Sequence, residues 1–295
     1  MPEFSGDLVD DLAHRSVVLF LGSGVSASST LQDGSRMKTW DAFLRGIISE
    51  LPPDTASVCK KFLGEERHLE ACEVIKEAID ADEWDRRCEE EFLKSAKYSS
   101  LHETLVKLDQ RVIVTTNFDK LYESAWSELN AGKSSFPIIK HTIGRDIFST
   151  FRSNRSYIIK LHGSIDDLDS MVFSYSDYAE KAFGNTEYQM FLDLIFLKYT
   201  VLFVGFSMKD PAIRSILQRY AANFPKGRPH YIFTSDNPSL AEENIDKKFN
   251  KLSLIKYDKS DGHKELVEKL GRLNLEVLNK RKENLADEIS ALGAR

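Results

Sequence analysis

Six runs of β-branched and apolar residues punctuate the chain, at 16–21 (SVVLFL), 111–115 (RVIVT), 157–161 (YIIKL), 199–204 (YTVLFV), 230–234 (HYIFT) and, more weakly, 251–257 (KLSLIKY). The first five are nearly continuous, which suits strands covered on both faces. Helical stretches lie between them, and strands that alternate with helices form parallel sheets joined by crossover connections. The expected fold is therefore α/β: a Rossmann-like parallel sheet with helices on both faces.

The spacing of the runs is uneven. Residues 22–110 separate the first two, far more than one crossover helix needs. Within that gap, 39–108 is rich in Glu, Lys, Ala and Leu, lacks strand-like runs and is punctuated by Pro52-Pro53, so it reads as several helices. We expect a helical insertion after the first strand, packed on the sheet. A second helical stretch, 176–198, precedes the run at 199. In the tail, Leu266, Val267, Leu270, Leu273, Leu275, Val277 and Leu278 fit one or two amphipathic helices, which either close the domain or meet another protein. The chain then divides into one domain at 1–260, with its insertion at about 39–108, and a helical tail at 261–295.

Composition changes this picture little. The chain has 295 residues, 42% hydrophobic and 29% charged, as globular proteins do. A net charge of −6, with both signs spread along the chain, argues against broad direct binding to nucleic acid. No run of about 18 apolar residues occurs, so no membrane-spanning helix is expected. The acidic first eleven residues are no signal peptide, and a cytoplasmic protein is expected. Cys59, Cys72 and Cys88 form no C-x-x-C pair and lie in helical sequence, which points to buried reduced thiols and to no metal site.

Candidate chemistry collects where four of the stronger runs end. In open parallel sheets ligands bind beyond the carboxyl ends of the strands. The first run is followed by Gly22-Ser23-Gly24-Val25-Ser26. Glycines there allow a sharp turn and close approach to a ligand, and amides opening the next helix suit a pyrophosphate. The spacing is G-x-G-x-S, though, and a plain tight turn explains it equally well. The second run ends in Thr115-Thr116-Asn117-Phe118-Asp119, residues that cap helices well; Asn117 both donates and accepts, which suits a ribose hydroxyl or a water. The third is followed by His162-Gly163-Ser164, where an imidazole at a strand end suits proton transfer as well as a structural hydrogen bond. The fourth ends at Gly205-Phe206-Ser207-Met208-Lys209-Asp210, with Ser207 and Asp210 able to cap the next helix.

In this order, the four segments resemble the sirtuin family, and more closely its bacterial NAD⁺-hydrolysing, defence-associated branch. Gly22-Ser23-Gly24-Val25-Ser26 is similar to that family's Gly-Ala-Gly-x-Ser loop, and Thr116-Asn117-Phe118-Asp119 to its Gln/Thr-Asn-Ile/Phe-Asp segment. His162-Gly163 resembles its catalytic His-Gly motif, and Gly205-Phe206-Ser207 its turn along the NAD⁺ ribose. The likeness runs from residue 16 to about 235. Residues 27–38 contain neither the Ile-Pro nor the Asp-Phe-Arg of sirtuin deacylases, and the four zinc cysteines are missing. The protein-substrate platform is absent while the NAD⁺ residues remain.

The resemblance implies an NAD⁺ nucleosidase whose residues 1–260 form the NAD-binding catalytic domain. NAD⁺ is its substrate, split into nicotinamide and ADP-ribose, in antiphage defence by NAD⁺ depletion. Asn117 and His162 are expected to act on water or the ribose, with Asp119 orienting Asn117 or capping a helix. Gly22, Ser23, Gly24 and Ser26 are expected to hold the phosphates, Thr116 to contribute to binding, and Gly205, Ser207 and Asp210 to lie beside the adenosine ribose. Unrestrained hydrolysis is lethal to the cell that makes the enzyme, so control is expected from a homo-oligomer or a HerA-type translocase ATPase. The alternatives are a sirtuin-type protein deacylase or ADP-ribosyltransferase, and a non-catalytic NAD- or ADP-ribose-binding subunit that scaffolds an ATPase.

Overall fold

The structure is a computed structural model describing residues 3–31, 33–93, 96–132, 135–208 and 210–293. Lys94 and Ser95 of the insertion, Lys209 of the fourth polar segment and the last two residues of the tail lie outside the described residues. The chain begins with α1 (Gly6–Ala13), β1 (Val17–Leu21), α2 (Ser23–Ser26) and β2 (Thr30–Leu31). The helices α3 (Trp40–Ile48), α4 (Pro53–Gly64), α5 (His68–Ala78) and α6 (Ala81–Phe92) follow, then β3 (Ala96–Lys97) and α7 (Ser100–Lys107). Next come β4 (Val112–Thr115), α8 (Leu121–Leu129), β5 (Ile138–Lys140), β6 (Tyr157–Lys160), α9 (Tyr175–Tyr178) and α10 (Thr186–Lys198). The chain closes with β7 (Thr200–Val204), α11 (Pro211–Asn223), β8 (His230–Thr234), α12 (Leu240–Ile245), β9 (Leu252–Lys256) and α13 (Lys264–Gly293).

Seven strands form one parallel sheet in the order β5-β6-β4-β1-β7-β8-β9. Each of the six apolar runs supplies one of them. The seventh, β5, was not anticipated: it is an edge strand of three residues behind Pro137, too short to leave a pattern. Successive side chains of a strand face opposite ways, so the sheet feeds two cores. Val18, Phe20, Val114, Ile159, Val201 and Phe203 meet α10 and α11 on one side. Leu19, Leu21, Ile113, Ile158, Leu202 and Val204 meet α1, α7 and α13 on the other. The Rossmann-like α/β fold with helices on both faces is what these residues build.

The insertion is helical as expected, apart from β3, which pairs antiparallel with β2 over two residues each. Its location differs from the expectation. Phe43, Ile47, Cys72, Trp84 and Cys88 pack against Phe118, Ile165, Met171 and Phe173, which belong to the segments following β4 and β6. Its helices α3 to α6 therefore sit on the loops at the carboxyl end of the sheet, whereas α7 packs on a sheet face. Those loops carry apolar residues between their polar ones, and Phe118 stacks on Phe173 with ring centroids 4.4 Å apart. The three cysteines are free and buried, and burial pushes the Cys88 thiol up to about 12.

The helical stretch before β7 is interrupted: a π-helical turn at Ala179–Phe183 separates α9 from α10. The tail is one 30-residue helix. Among the described residues no helix is long and apolar enough to cross a membrane.

Candidate active site

From β1 the chain passes to β4 and β6 on one side and later returns to β7 on the other, so β1 marks a topological switch point. Ligands of open α/β sheets bind beyond the carboxyl ends of the strands at such a point. All four polar segments leave strands there, after β1, β4, β6 and β7.

The first and fourth segments are pressed together. A Cβ added at Gly22 would lie 2.4 Å from the Gly205 carbonyl oxygen, and one at Gly24 would lie 2.9 Å from Gly205 Cα. Gly205 has φ +64°, and a Cβ there would meet the Val25 nitrogen at 2.5 Å. Only glycine tolerates both the conformation and the approach. The Gly22 amide donates to Val204 O at 3.0 Å and the Gly24 amide to Gly205 O at 2.9 Å. The two amides assigned from sequence to a pyrophosphate are thus engaged in joining the loops, and α2 has only four residues. The hydroxyl-bearing Ser23 and Ser207 are exposed, and Thr116 is half-buried.

Asn117 anchors to the same turn. Its Nδ2 donates to Gly22 O at 3.0 Å and to Ser26 Oγ at 2.8 Å. Because Gly22 O can only accept, the amide orientation follows from the network. Ser26 Oγ in turn donates to Asp119 Oδ2 at 2.5 Å, and Asp119 Oδ1 accepts the Leu121 amide at 3.0 Å. Asp119 therefore both caps the start of α8 and holds Asn117 through Ser26. Ser26, expected on a phosphate, has its hydroxyl committed to this chain. Asn117 Oδ1 is buried with no hydrogen-bond partner among the described residues. A buried unpaired acceptor is costly, and a ligand hydroxyl or water relieves it.

His162 leaves the end of β6, next to β4. Thr115 pairs with Lys160 across the two strands, so Asn117 and His162 stand two residues beyond the same register pair. His162 is buried, and its Nε2 lies 3.1 Å from Asp210 Oδ2 and 3.1 Å from the Tyr178 hydroxyl, which itself donates to Asp210 Oδ2 at 2.7 Å. The network assigns the Nε2 proton to Asp210, and Nδ1 has no hydrogen-bond partner among the described residues. Burial raises the Asp210 carboxyl, but His162, Tyr178 and the Ile213 amide outweigh it and hold the group below its usual range. A carboxylate kept ionised behind an imidazole orients the ring and stabilises it once it accepts a proton. Asp210 was expected beside the adenosine ribose; its carboxylate is instead joined to His162, with Oδ1 capping α11 through Ile213. Gly163 (φ +85°) lets the chain turn directly behind the histidine, where a Cβ would strike Ser170 O.

Two contributors were missed from sequence. Tyr178 lies in an ordinary-looking helical stretch and leaves no signal. Lys160 leaves one: a lysine inside a run that reads as covered on both faces. It is 1% exposed, and its Nζ donates to Phe118 O at 3.0 Å, Asp119 O at 2.6 Å and Glu123 Oε1 at 3.2 Å. It thereby ties β6 to the loop that carries Asn117. Burial raises the Glu123 carboxyl, although Lys160 pulls the other way. Among the described residues no group of three His, Cys, Asp or Glu is placed to hold a metal ion.

A doubly wound parallel sheet with a histidine and an asparagine beyond neighbouring strand ends defines an α/β protein of the Rossmann-like class. The SIR2-like domain profile matches residues 111–256, which contain β4 through β9 and three of the four polar segments. Residues 111–256 are therefore a SIR2-like, or sirtuin-like, domain. It is 23% identical over 229 residues to the NAD(+) hydrolase ThsA of Bacillus cereus (strain MSX-D12), covering 77% of this chain and 45% of that one. It is 31% identical over 145 residues to the NAD(+) hydrolase ThsA of Enterococcus faecium, covering 48% of this chain and 29% of that one. The chain thus spans less than half the length of these relatives. Among solved structures, cytosolic 5'-nucleotidase IIIB bound to cytidine aligns over 95% of this chain and 92% of that one, at 12% identity and a TM-score of 0.36. That likeness is too low to carry an argument.

Proposed function

We propose that the protein is an NAD⁺ glycohydrolase that breaks the bond between nicotinamide and ribose C1′, giving nicotinamide and ADP-ribose. The observation that carries this reading is an oriented imidazole and an unpaired amide oxygen at equivalent positions of neighbouring strand ends, in a SIR2-like domain. The relatives named NAD(+) hydrolase support the substrate.

The leaving nicotinamide is cationic in NAD⁺ and departs neutral, so no general acid is needed, unlike ordinary glycoside hydrolysis. The site must hold the ribose as positive charge spreads onto its ring and bring one water to C1′. Asn117 Oδ1 accepts from that water or a ribose hydroxyl. His162 Nδ1 takes the proton as the C–O bond forms, with Asp210 stabilising the imidazolium, and then releases it to solvent. The diphosphate is held along the Gly22–Ser26 turn with Thr116, and the adenosine ribose beside Gly205 and Ser207. Such an enzyme suits defence by NAD⁺ depletion in the cytoplasm, with activity gated by self-association or a partner ATPase. Incubation with NAD⁺ and chromatography for nicotinamide and ADP-ribose, with and without the protein encoded next door, tests the reading. The assignment fails if Asn117→Ala and His162→Ala proteins consume NAD⁺ at the parent rate.

A further inference from the structure

One stretch of chain places two tyrosines behind the His162 arm. Ser174 and Asp177 form a capping box that fixes the start of α9, and α9 is so short that Tyr178 is its last residue. The π-helical turn then leads into α10, which carries Tyr188. Both side chains are buried. Their hydroxyls differ. Tyr178 donates to Asp210 Oδ2 at 2.7 Å and lies 3.1 Å from His162 Nε2, with its ring at 73° to the imidazole. The Tyr188 hydroxyl has no hydrogen-bond partner among the described residues, and burial, with the Asp210 charge, pushes it well above its usual range.

Asp210 Oδ1 is taken by the Ile213 amide at 3.1 Å, so Tyr178 and His162 share Oδ2. Burial pushes the Tyr178 hydroxyl well above its usual range, with Asp210 adding to it, so it remains a donor at neutral pH. A donor is held most strongly while the carboxylate keeps its full charge. Protonating His162 partly neutralises that charge and weakens the bond from Tyr178. The hydroxyl therefore opposes the imidazolium. Among the described residues, His162 behind β6, Asp210 at the cap of α11 and Tyr188 on α10 are the titratable groups facing it. Of its charged neighbours in sequence, Asp177 is bonded to Lys76 and the Phe173 and Ser174 amides. Lys181 is bonded to the Asp169 and Met171 carbonyls, and Glu180 is exposed.

We propose that Tyr178 is a positioning residue: its hydroxyl pins Asp210 Oδ2 behind the imidazole and, by sharing that oxygen, keeps His162 free to accept a proton near neutral pH. The role rests on the reaction proposed above, but its first test needs no NAD⁺. In protein carrying ¹³C-labelled histidine, the His162 signal is identified by its absence from His162→Gln protein and titrated by NMR. Tyr178→Phe is expected to raise its midpoint by about half a pH unit to one unit. Tyr188→Phe removes a hydroxyl that is as buried but unbonded, and is expected to leave the midpoint unchanged. Asp210→Asn/Tyr178→Phe is expected to titrate as Asp210→Asn does. With NAD⁺, the acid limb of kcat/KM is expected to move up in Tyr178→Phe while KM holds. The proposal is overturned by a midpoint that stays or falls in Tyr178→Phe, an equal rise in Tyr188→Phe, or an additional shift in the double variant. A Tyr178→Phe chain that does not fold overturns it as well. A parent that leaves NAD⁺ intact sinks the hydrolase reading instead, and the titration still decides what Tyr178 does to His162.

Discussion

Asn117 is held by the ends of two adjacent strands, β1 and β4, whereas His162 is held by α9 and by the cap of α11, behind a strand three places from its own in the sheet. Neighbouring strands stand about 4.8 Å apart, so the His162–Asp210 contact bridges roughly 14 Å of sheet edge. The Asn117 chain follows from strand pairing and one buried lysine. The His162 chain depends on α9 lying correctly, and α9 is gripped by the insertion: Lys76 Nζ reaches Asp177 at 3.2 Å, and Glu73 accepts from the Ser176 hydroxyl at 2.7 Å. The insertion thus supports the His162 arm more directly than the Asn117 arm, although its aromatic core touches the loops of both.

The largest effect is expected from cutting the His162 arm at its base. His162→Ala should lower NAD⁺ turnover by about two to four powers of ten with little change in melting temperature, since it removes proton transfer and leaves the sheet intact. An equal loss of melting temperature would identify His162 as a structural residue. Next is the foundation of the other arm. Lys160→Met strands Glu123 and two carbonyls in the interior and should cost about 3–5 kcal/mol of unfolding free energy, read by denaturant titration. Adding Glu123→Gln to that variant should recover part of the loss, because the uncompensated acid is removed. A Lys160→Met protein as stable as the parent would mean that strand pairing alone holds the Asn117 loop.

Asp210→Asn sharpens the comparison within the His162 arm. The amide keeps the shape and the cap of α11 but removes the charge behind the ring, which should cost about 2 kcal/mol of transition-state stabilisation, ten- to a hundredfold in kcat. The sign of the pH effect follows from the depressed Asp210 carboxyl. Its contribution to stability is present above the ordinary carboxylate range and is lost only as pH falls through its lowered value. Through the neutral range it stays ionised. Without it an imidazolium lacks its counter-charge, so the acid limb of the rate profile should move to lower pH. An unshifted limb would separate Asp210 from the reaction.

Six of the seven strands of the main sheet were legible in the sequence because each is a short apolar run, and the expected place of the site was legible because polar residues follow those runs. Partners were harder. Asp210 and Ser26 were recognised as site residues but given to the ligand, since a sequence does not reveal that a loop after β6 reaches a cap after β7. Gly22, Gly24 and Gly205 were read as a ligand cradle, and no local pattern encodes that they also let their two loops approach one another. Tyr178 and the seat of the insertion on the loops arise from tertiary contacts that no local pattern encodes. Lys160 could have been found: an ammonium inside a doubly covered strand must meet carbonyls or an acid, and the segment after β4 supplies the carbonyls and α8 the acid.

The smallest expected effect tests whether the Asn117 arm is as local as it looks. Ser26→Ala removes a hydroxyl that accepts from Asn117 and donates to Asp119, leaving Asn117 Nδ2 with Gly22 O and Asp119 with the Leu121 amide. Each partner keeps one bond, so the cost should be about 1 kcal/mol in stability and a few-fold in turnover. Because the remaining bonds still fix the amide's orientation, KM for NAD⁺ should change less than kcat. Were Ser26 instead a direct phosphate ligand, as its place in the glycine turn first implied, KM would rise and kcat would hold. The ratio of the two changes decides which molecule that hydroxyl serves.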